Sequence, residues 1–139
     1  MAEIKAYHSK NPDLTLFIVA GSVSAEDLIA AMETHYGARP ASIAVWDLWE
    51  ADLSGLDMAA LVKVSDVARG YARNRKDPRT LFAVKREQEK PLVRLYEKIS
   101  ELRGSPISYE MLPSRAAAYQ HLGLNDPFAA ADMNHKESA

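Results

Sequence analysis

The chain contains no cysteine among its 139 residues. Disulfides, thiolate zinc sites and cysteine nucleophiles are therefore excluded, and the composition agrees with a reducing compartment. The polar N-terminus MAEIKAYHSK lacks the apolar core of a signal peptide. No uninterrupted apolar stretch approaches the roughly 20 residues that a membrane span needs. These absences predict a cytoplasmic protein that is not an integral membrane protein.

Motifs for metals, nucleotides and nucleophilic catalysis are also missing. The four histidines, His8, His35, His121 and His135, are too far apart in sequence to form a pair on one helical face. The six glycines form no phosphate-binding loop, and no G-x-S-x-G segment is present. We therefore expect no metal, no cofactor and no enzymatic activity.

Neither sign of charge dominates the chain. Seventeen basic and nineteen acidic residues give a formal net charge of −2, which predicts no general attraction to nucleic acid or anionic membranes. One local basic run consists of Arg69, Arg73, Arg75, Lys76 and Arg79. We interpret it mainly as cations that stabilise a helix C-terminus and solvate the following loop. The alternative is a basic patch for phosphate, a lipid headgroup or nucleic acid, and we expect no nucleic-acid partner.

Hydrophobic periodicity alternates between strand and helix along the chain. Strands are predicted over 3–8, 14–20, 42–48, 80–84 and 107–112, and helices are predicted to begin near 24, 56, 91 and 114. The segment LTLFIVA at 14–20 leaves neither face polar, so it is predicted to lie at or next to the centre of the sheet. The third helix carries an apolar stripe that includes Leu95, which is expected to be buried.

The element order β-β-α-β-α-β-α-β-α predicts one α/β domain over 1–124. We expect a five-stranded, mainly parallel sheet with an antiparallel N-terminal strand and about four helices. The tail at 125–139 is polar and alanine-rich, and it is expected to be mobile or to dock on a neighbour. A homo-oligomer is compatible with this sequence.

The densest group of polar and aromatic residues is WDLWEADLSGLD at 46–57. Open α/β sheets place their sites at the carboxyl ends of strands, where this segment is expected to lie. Asp47, Glu50 and Asp52 are interpreted as solvated loop acids rather than a magnesium or phosphoryl-transfer cluster, since no phosphate-binding loop accompanies them. Trp46 is predicted to belong to the core, and Trp49, expected beyond the strand end, is a candidate recognition anchor.

This segment and the element order together resemble the STAS domains, the fold of sporulation anti-anti-sigma factors and of the cytoplasmic domains of sulfate transporters. In the anti-anti-sigma factors, a strand ending in Asp is followed by D-S-S-G-L and an apolar helix. The serine before the glycine is phosphorylated there by a partner kinase. Asp47, Asp52, Ser54 and Gly55 match this pattern, whereas Leu53 replaces the first serine. The resemblance implies that Ser54 is a phosphoacceptor.

Two further segments are similar to the SpoIIAA-like branch of this family, which is also compared with lipid-binding Sec14-type domains. The first predicted helix opens with SAEDL at 24–28, and the last reads SRAAAYQHLG at 114–123. The similarity implies a STAS-like fold with more force than it implies a function.

Two functions are expected from these observations. The first is a non-enzymatic regulatory module, resembling anti-sigma factor antagonists, that binds a protein partner such as a kinase or an anti-sigma-like regulator. Its binding residues would be Asp47, Trp49, Glu50, Asp52 and Gly55, around Ser54. The alternative is a binder of a lipid or another apolar small molecule in a cleft between helix and sheet. Ser54 is interpreted either as a phosphorylated switch or as the N-cap of a helix that begins near Gly55.

Overall fold

The computed structural model describes residues 2–10, 13–114 and 116, and the backbone of 136–138. In chain order, its strands and helices are β1 (Glu3–Lys10), β2 (Asp13–Ser22), α1 (Ala25–Ala38), β3 (Ile43–Asp52), α2 (Met58–Ala72), β4 (Arg79–Ala83), a 3₁₀ turn (Glu87–Glu89), α3 (Lys90–Leu102), β5 (Ser108–Leu112) and β6 (Lys136–Ser138). The predicted α/β class is confirmed.

The sheet has the strand order β5-β4-β3-β2-β1-β6. Strands β2, β3, β4 and β5 are parallel, and β1 pairs antiparallel with β2, as predicted. The prediction for LTLFIVA is also confirmed, because β2 lies between β1 and β3 and is buried along most of its length. The short strand β6, which was not predicted, pairs antiparallel with β1.

Three of the predicted helices are present, and each connects two neighbouring parallel strands. The predicted fourth helix, over 116–122, lies outside the described residues except for Ala116. The predicted tail at 125–139 also lies outside them, apart from Lys136–Ser138.

The described helices pack against one face of the sheet. The main apolar core joins buried helix residues to Phe17, Trp46 and Phe82, which alternate with the residues of the other face. The opposite face carries a separate buried cluster that includes Leu16, Val45 and Leu81. Trp46 is buried against the stacked ring of Phe17, with ring centroids 4.0 Å apart, so its predicted place in the core is confirmed.

The buried face of α3 differs from the predicted stripe. Val93, Tyr96 and Ile99 are buried, whereas Leu95 is 38% exposed and Leu102 is 76% exposed. The prediction that Leu95 is buried is therefore wrong. Leu92, Leu95 and Leu102 also recur at helical spacing. The face of α3 that packs against the sheet is centred on Tyr96, however, and it leaves Leu95 and Leu102 exposed. Loss of the Leu95 side chain is thus expected to leave no core void.

Candidate functional site

The candidate segment at 46–57 begins inside a strand rather than after one. Strand β3 continues to Asp52 because Ala20, Gly21 and Ser22 of β2 pair with its last three residues. Trp49 therefore lies on β3, half-buried, and the expectation that it follows the strand end is wrong. Sequence alone did not indicate this extension, since Glu50 and Asp52 interrupt the apolar pattern.

The three carboxylates of this segment have different surroundings. Asp47 is 1% exposed, and its Oδ1 accepts a hydrogen bond from the backbone N–H of Trp49 at 3.1 Å. Glu50 is exposed, and Asp52 is half-buried at the end of the strand. All three lie on β3, so their interpretation as loop acids is wrong, and the buried Asp47 is not solvated. Within the described part of the chain, no three histidine or acidic side chains are close enough together to hold a metal ion. The magnesium-cluster alternative thus has no geometric support there.

The turn between β3 and α2, residues Leu53–Asp57, carries the exposed residues Ser54 and Gly55. Asp52 Oδ1 accepts a hydrogen bond from the backbone N–H of Ser54 at 3.0 Å. Hydrogen bonds from the Ser54 side chain and backbone, with the nearby Arg86 cation, hold the pKa of Asp52 below its usual value. Asp52 therefore stays ionised beside the Ser54 hydroxyl at neutral pH.

A buried carboxylate from the segment before α3 accepts a hydrogen bond from the backbone of this turn. Glu89, which is 6% exposed, accepts a hydrogen bond at Oε2 from the backbone N–H of Leu53 at 2.7 Å. Arg86 Nη1 lies 3.7 Å from the same Glu89 oxygen and 3.9 Å from Asp52 Oδ1. Sequence reasoning missed Glu89 and Arg86. Both lie in the charged run KREQEK, which carries no local signal of burial.

Helix α2 is capped by Asp57 and not by Ser54. The Asp57 side chain accepts a hydrogen bond at Oδ1 from the backbone N–H of Ala60 at 2.8 Å, and the helix begins at Met58. The N-cap interpretation of Ser54 is therefore wrong, because the helix begins later than the sequence predicted.

The Asp57→Ala substitution is expected to lower the free energy of unfolding by about 1 kcal/mol, the usual cost of losing an N-cap. Ser54→Ala, the matched control on the same turn, is expected to change it by less than about 0.5 kcal/mol, as for other exposed sites. Urea denaturation of the two variants measures both values. A larger loss for Ser54→Ala than for Asp57→Ala would contradict this assignment of the cap.

The basic run is not a continuous surface patch. Arg75 is 4% exposed and its guanidinium donates to the carbonyl oxygens of Ala41 and Arg79, so its place in an exposed patch is corrected. Arg69 lies 3.4 Å from Asp66, and Arg79 lies 3.6 Å from Glu110. Arg73 and Lys76 are exposed. The run thus consists of one buried side chain that joins two backbone carbonyls, the Arg75 clamp, together with two ion-paired arginines and two solvated side chains.

An apolar cavity of about 60 Å³ lies between the helices and the sheet. All three helices contribute to its wall, together with strands β3, β4 and β5. Leu53 and Leu56, from the turn between β3 and α2, also line it, so the turn belongs to the same site. Leu28 and Leu92, in the first turns of α1 and α3, are lining residues that are only half-buried. The cavity therefore approaches the surface at the carboxyl edge of the parallel strands.

None of the helices in the described residues is long and apolar enough to cross a membrane. No protein-family model matches this chain, and no curated protein is significantly similar to it in sequence.

Proposed function

We propose that this chain is a non-enzymatic binding module whose ligand is an apolar small molecule held between the helices and the sheet. The observation that carries this proposal is the apolar cavity. Its wall includes residues from each of the three helices that connect the parallel strands. Protein interiors are usually packed with few voids, and open α/β sheets bind ligands at the carboxyl ends of their strands. A cavity that reaches this edge of the sheet therefore favours a ligand-binding role. Each methylene of a ligand buried there contributes roughly 0.8 kcal/mol.

The proposed activity needs no catalytic group. The cavity wall is almost entirely apolar, and its lining residues include no aspartate, glutamate or histidine. The polar residues that line the cavity, Arg75, Thr80, Tyr36, Tyr96 and Tyr109, have hydrogen-bond partners within the protein. An apolar ligand therefore leaves these bonds intact, whereas a polar ligand would have to compete for them. Binding without turnover is therefore the chemistry that this wall supports.

Native mass spectrometry of protein purified from its own cell, followed by organic extraction, tests this proposal. The chain is expected to carry a bound apolar molecule of defined mass. Ala68 lines the cavity, so Ala68→Leu is expected to fill it and to yield protein without the ligand. The matched control is Ala59→Leu, on an exposed position of the same helix, which should retain the ligand. Equal ligand content in the two variants would contradict the assignment of the cavity.

Protein binding through the turn between β3 and α2 is the second candidate function. It is favoured by a specific feature: Ser54 and Gly55 are exposed on a turn whose backbone donates hydrogen bonds to Asp52 and Glu89 and is ordered by them in this structure. An ordered surface loses little conformational freedom when a partner binds. A kinase or an anti-sigma-like regulator is the kind of partner that the STAS resemblance implies.

Comparison of Ser54→Ala with Ser54→Asp tests this second candidate. The two variants are expected to recover different partners from the native cell, and phosphate is expected on Ser54 of the parent protein. Phosphorylation would add about −1.5 to −2 charges beside Asp52 and within the neighbourhood of Arg86. If both variants recover the parent's partners and Ser54 carries no phosphate, the switch interpretation fails.

Membership of the STAS family, in its SpoIIAA-like branch, is part of the same proposal. It is supported by an antiparallel β1–β2 pair followed by three parallel crossovers, and by the strand, acidic turn and apolar helix around Ser54. A cytoplasmic location is likewise proposed, because the sequence contains no cysteine.

A further inference from the structure

We infer that the turn Leu53–Leu56 is a movable wall of the cavity, that Glu89 holds it closed, and that the ligand is a single alkyl chain. This inference rests on the proposed binding of an apolar molecule. It adds the shape of the ligand, its point of entry and the contact that opposes its binding.

The shape of the cavity favours a chain over a compact ring system. Its lining residues extend along the strands from the level of Thr80, which pairs with Ala44 of β3, to that of Leu48 and Leu53. Four residues of strand separate the level of Ala44 from Leu48, a length of about 13 Å. A volume of about 60 Å³ whose lining extends over that length leaves little room for a compact ring at any one level of the strands. An alkyl chain fits such a space with less displacement of the wall than a ring does.

The volume also requires part of the wall to move. An apolar protein cavity of about 150 Å³ binds benzene, whereas this cavity measures about 60 Å³. A chain of more than a few carbon atoms therefore needs additional room. Most of the wall consists of helices and paired strands, which are bonded along their length. The turn Leu53–Leu56 is the non-repetitive segment of the wall at the carboxyl edge.

Contacts of the turn indicate how it is held. Leu53 and Leu56 face the cavity, while Ser54 and Gly55 between them are exposed. The internal bond from Leu56 N–H to the Leu53 carbonyl, at 3.0 Å, would move with the turn. The bond from Leu53 N–H to Glu89, in contrast, ties the turn to the segment before α3. Outward movement of Leu53 breaks that bond.

Two consequences follow for binding. Because the occupied cavity lacks the Leu53–Glu89 bond, that bond opposes the ligand, and its removal should increase affinity. Because the same movement displaces Ser54 and Gly55, occupancy of the cavity changes the exposed surface of the turn. Ligand binding and partner binding at this turn would then influence each other reciprocally.

Titration with 1-octanol as a single-chain probe and 1-adamantanol as a compact probe tests these statements. Calorimetry is expected to give an octanol affinity at least about tenfold higher than that of adamantanol. Glu89→Ala should raise octanol affinity by about tenfold, since hydrogen bonds to charged groups are the stronger ones, and Glu89→Gln by a smaller factor. Glu87→Gln, on an exposed position of the same 3₁₀ turn, is the control and should leave affinity unchanged.

Hydrogen exchange supplies an independent measurement on the parent chain. Octanol is expected to accelerate exchange of the Leu53 amide, and Ala68→Leu or the smaller filling change Val64→Ile should reduce both octanol binding and this acceleration. Equal octanol affinity in the parent and both Glu89 variants, or slower exchange of Leu53 with octanol, would overturn the movable wall while leaving the proposed ligand binding intact. Absence of probe binding in every variant would overturn both.

Discussion

Replacement of Arg75 by alanine is expected to lower the free energy of unfolding by about 3 to 5 kcal/mol. The Arg75 side chain is buried where the starts of β3 and β4 meet. Its Nε donates to the carbonyl oxygen of Ala41 at 2.8 Å, and its Nη2 donates to that of Arg79 at 2.9 Å. The guanidinium carbon also lies 5.0 Å from the centroid of the Tyr36 ring.

The expected size of this loss comes from groups that alanine would leave unpaired. A buried carbonyl that loses its donor costs about 1 to 3 kcal/mol, and loss of a desolvated cation–π contact adds about 2 kcal/mol. Ser42 is a smaller contributor, because its carbonyl also accepts from the backbone N–H of Arg79. Arg75 also lines the cavity, so its removal would enlarge a void.

Chemical denaturation of Arg75→Ala, Arg75→Lys and Arg73→Ala measures this effect. Lysine keeps the charge but cannot reproduce the planar fork, so its loss should be intermediate. Arg73 is exposed, two residues away, and its replacement should change stability by less than about 0.5 kcal/mol. Equal losses for Arg75→Ala and Arg73→Ala would mean that the buried clamp contributes little.

Arg75 illustrates a limit on prediction from sequence. Five cations within eleven positions look alike in the sequence, and their exposure depends on loops that end elsewhere in the chain. Arg75 reaches the carbonyl of Ala41, which is separated from it by 34 positions. Nothing in the local pattern indicates this contact. The apolar strands, in contrast, are predicted well because their burial depends on residues within the strand itself.

The candidate site divides in the same way. Its place at the carboxyl end of β3 and the exposure of Ser54 and Gly55 could be expected from the segment 46–57. The length of β3, the cap at Asp57 and the tie to Glu89 could not. The length of β3 is set by its pairing with β2, and the tie to Glu89 joins two separate segments of the chain. The cap at Asp57 is a local hydrogen bond with Ala60, and the helix begins later than its apolar pattern predicts. The cavity belongs to the same class, because it is enclosed by residues from three separate helices.

Stability is expected to fall steeply in alkali because two tyrosine hydroxyls are buried. Burial raises the pKa of Tyr36 from 10.0 to about 12, although Arg75 and the Trp46 indole N–H, which donates to its hydroxyl at 3.1 Å, partly oppose this. Burial and the neighbouring Tyr109 also raise the pKa of Tyr96 well above its usual value. Both phenols therefore ionise more easily in the unfolded chain than in the folded one.

The raised pKa values of Tyr36 and Tyr96 determine how the free energy of unfolding changes with pH. Below pH 10 both phenols are protonated in the folded and in the unfolded chain, so the stability that they contribute is fully present. As the pH rises from 10 through about 12, Tyr36 ionises first in the unfolded chain, and its contribution to the free energy of unfolding is lost. A shift of two units corresponds to about 3 kcal/mol for Tyr36. Free energies of unfolding between pH 8 and pH 12, with tyrosinate absorbance followed in parallel, measure the loss. Folding should disappear as the last tyrosines ionise.

Tyr36→Phe separates this ionisation from other alkaline effects. The variant is expected to be less stable than the parent at neutral pH, because the buried Trp46 N–H loses its acceptor. Between pH 10 and pH 12, however, its stability should fall less steeply, because one titrating group has been removed and Tyr96 remains. If the parent and the variant lose stability in parallel over this interval, the buried phenol of Tyr36 does not control alkaline unfolding. The same holds if every tyrosine ionises below pH 11 while circular dichroism still reports a folded chain.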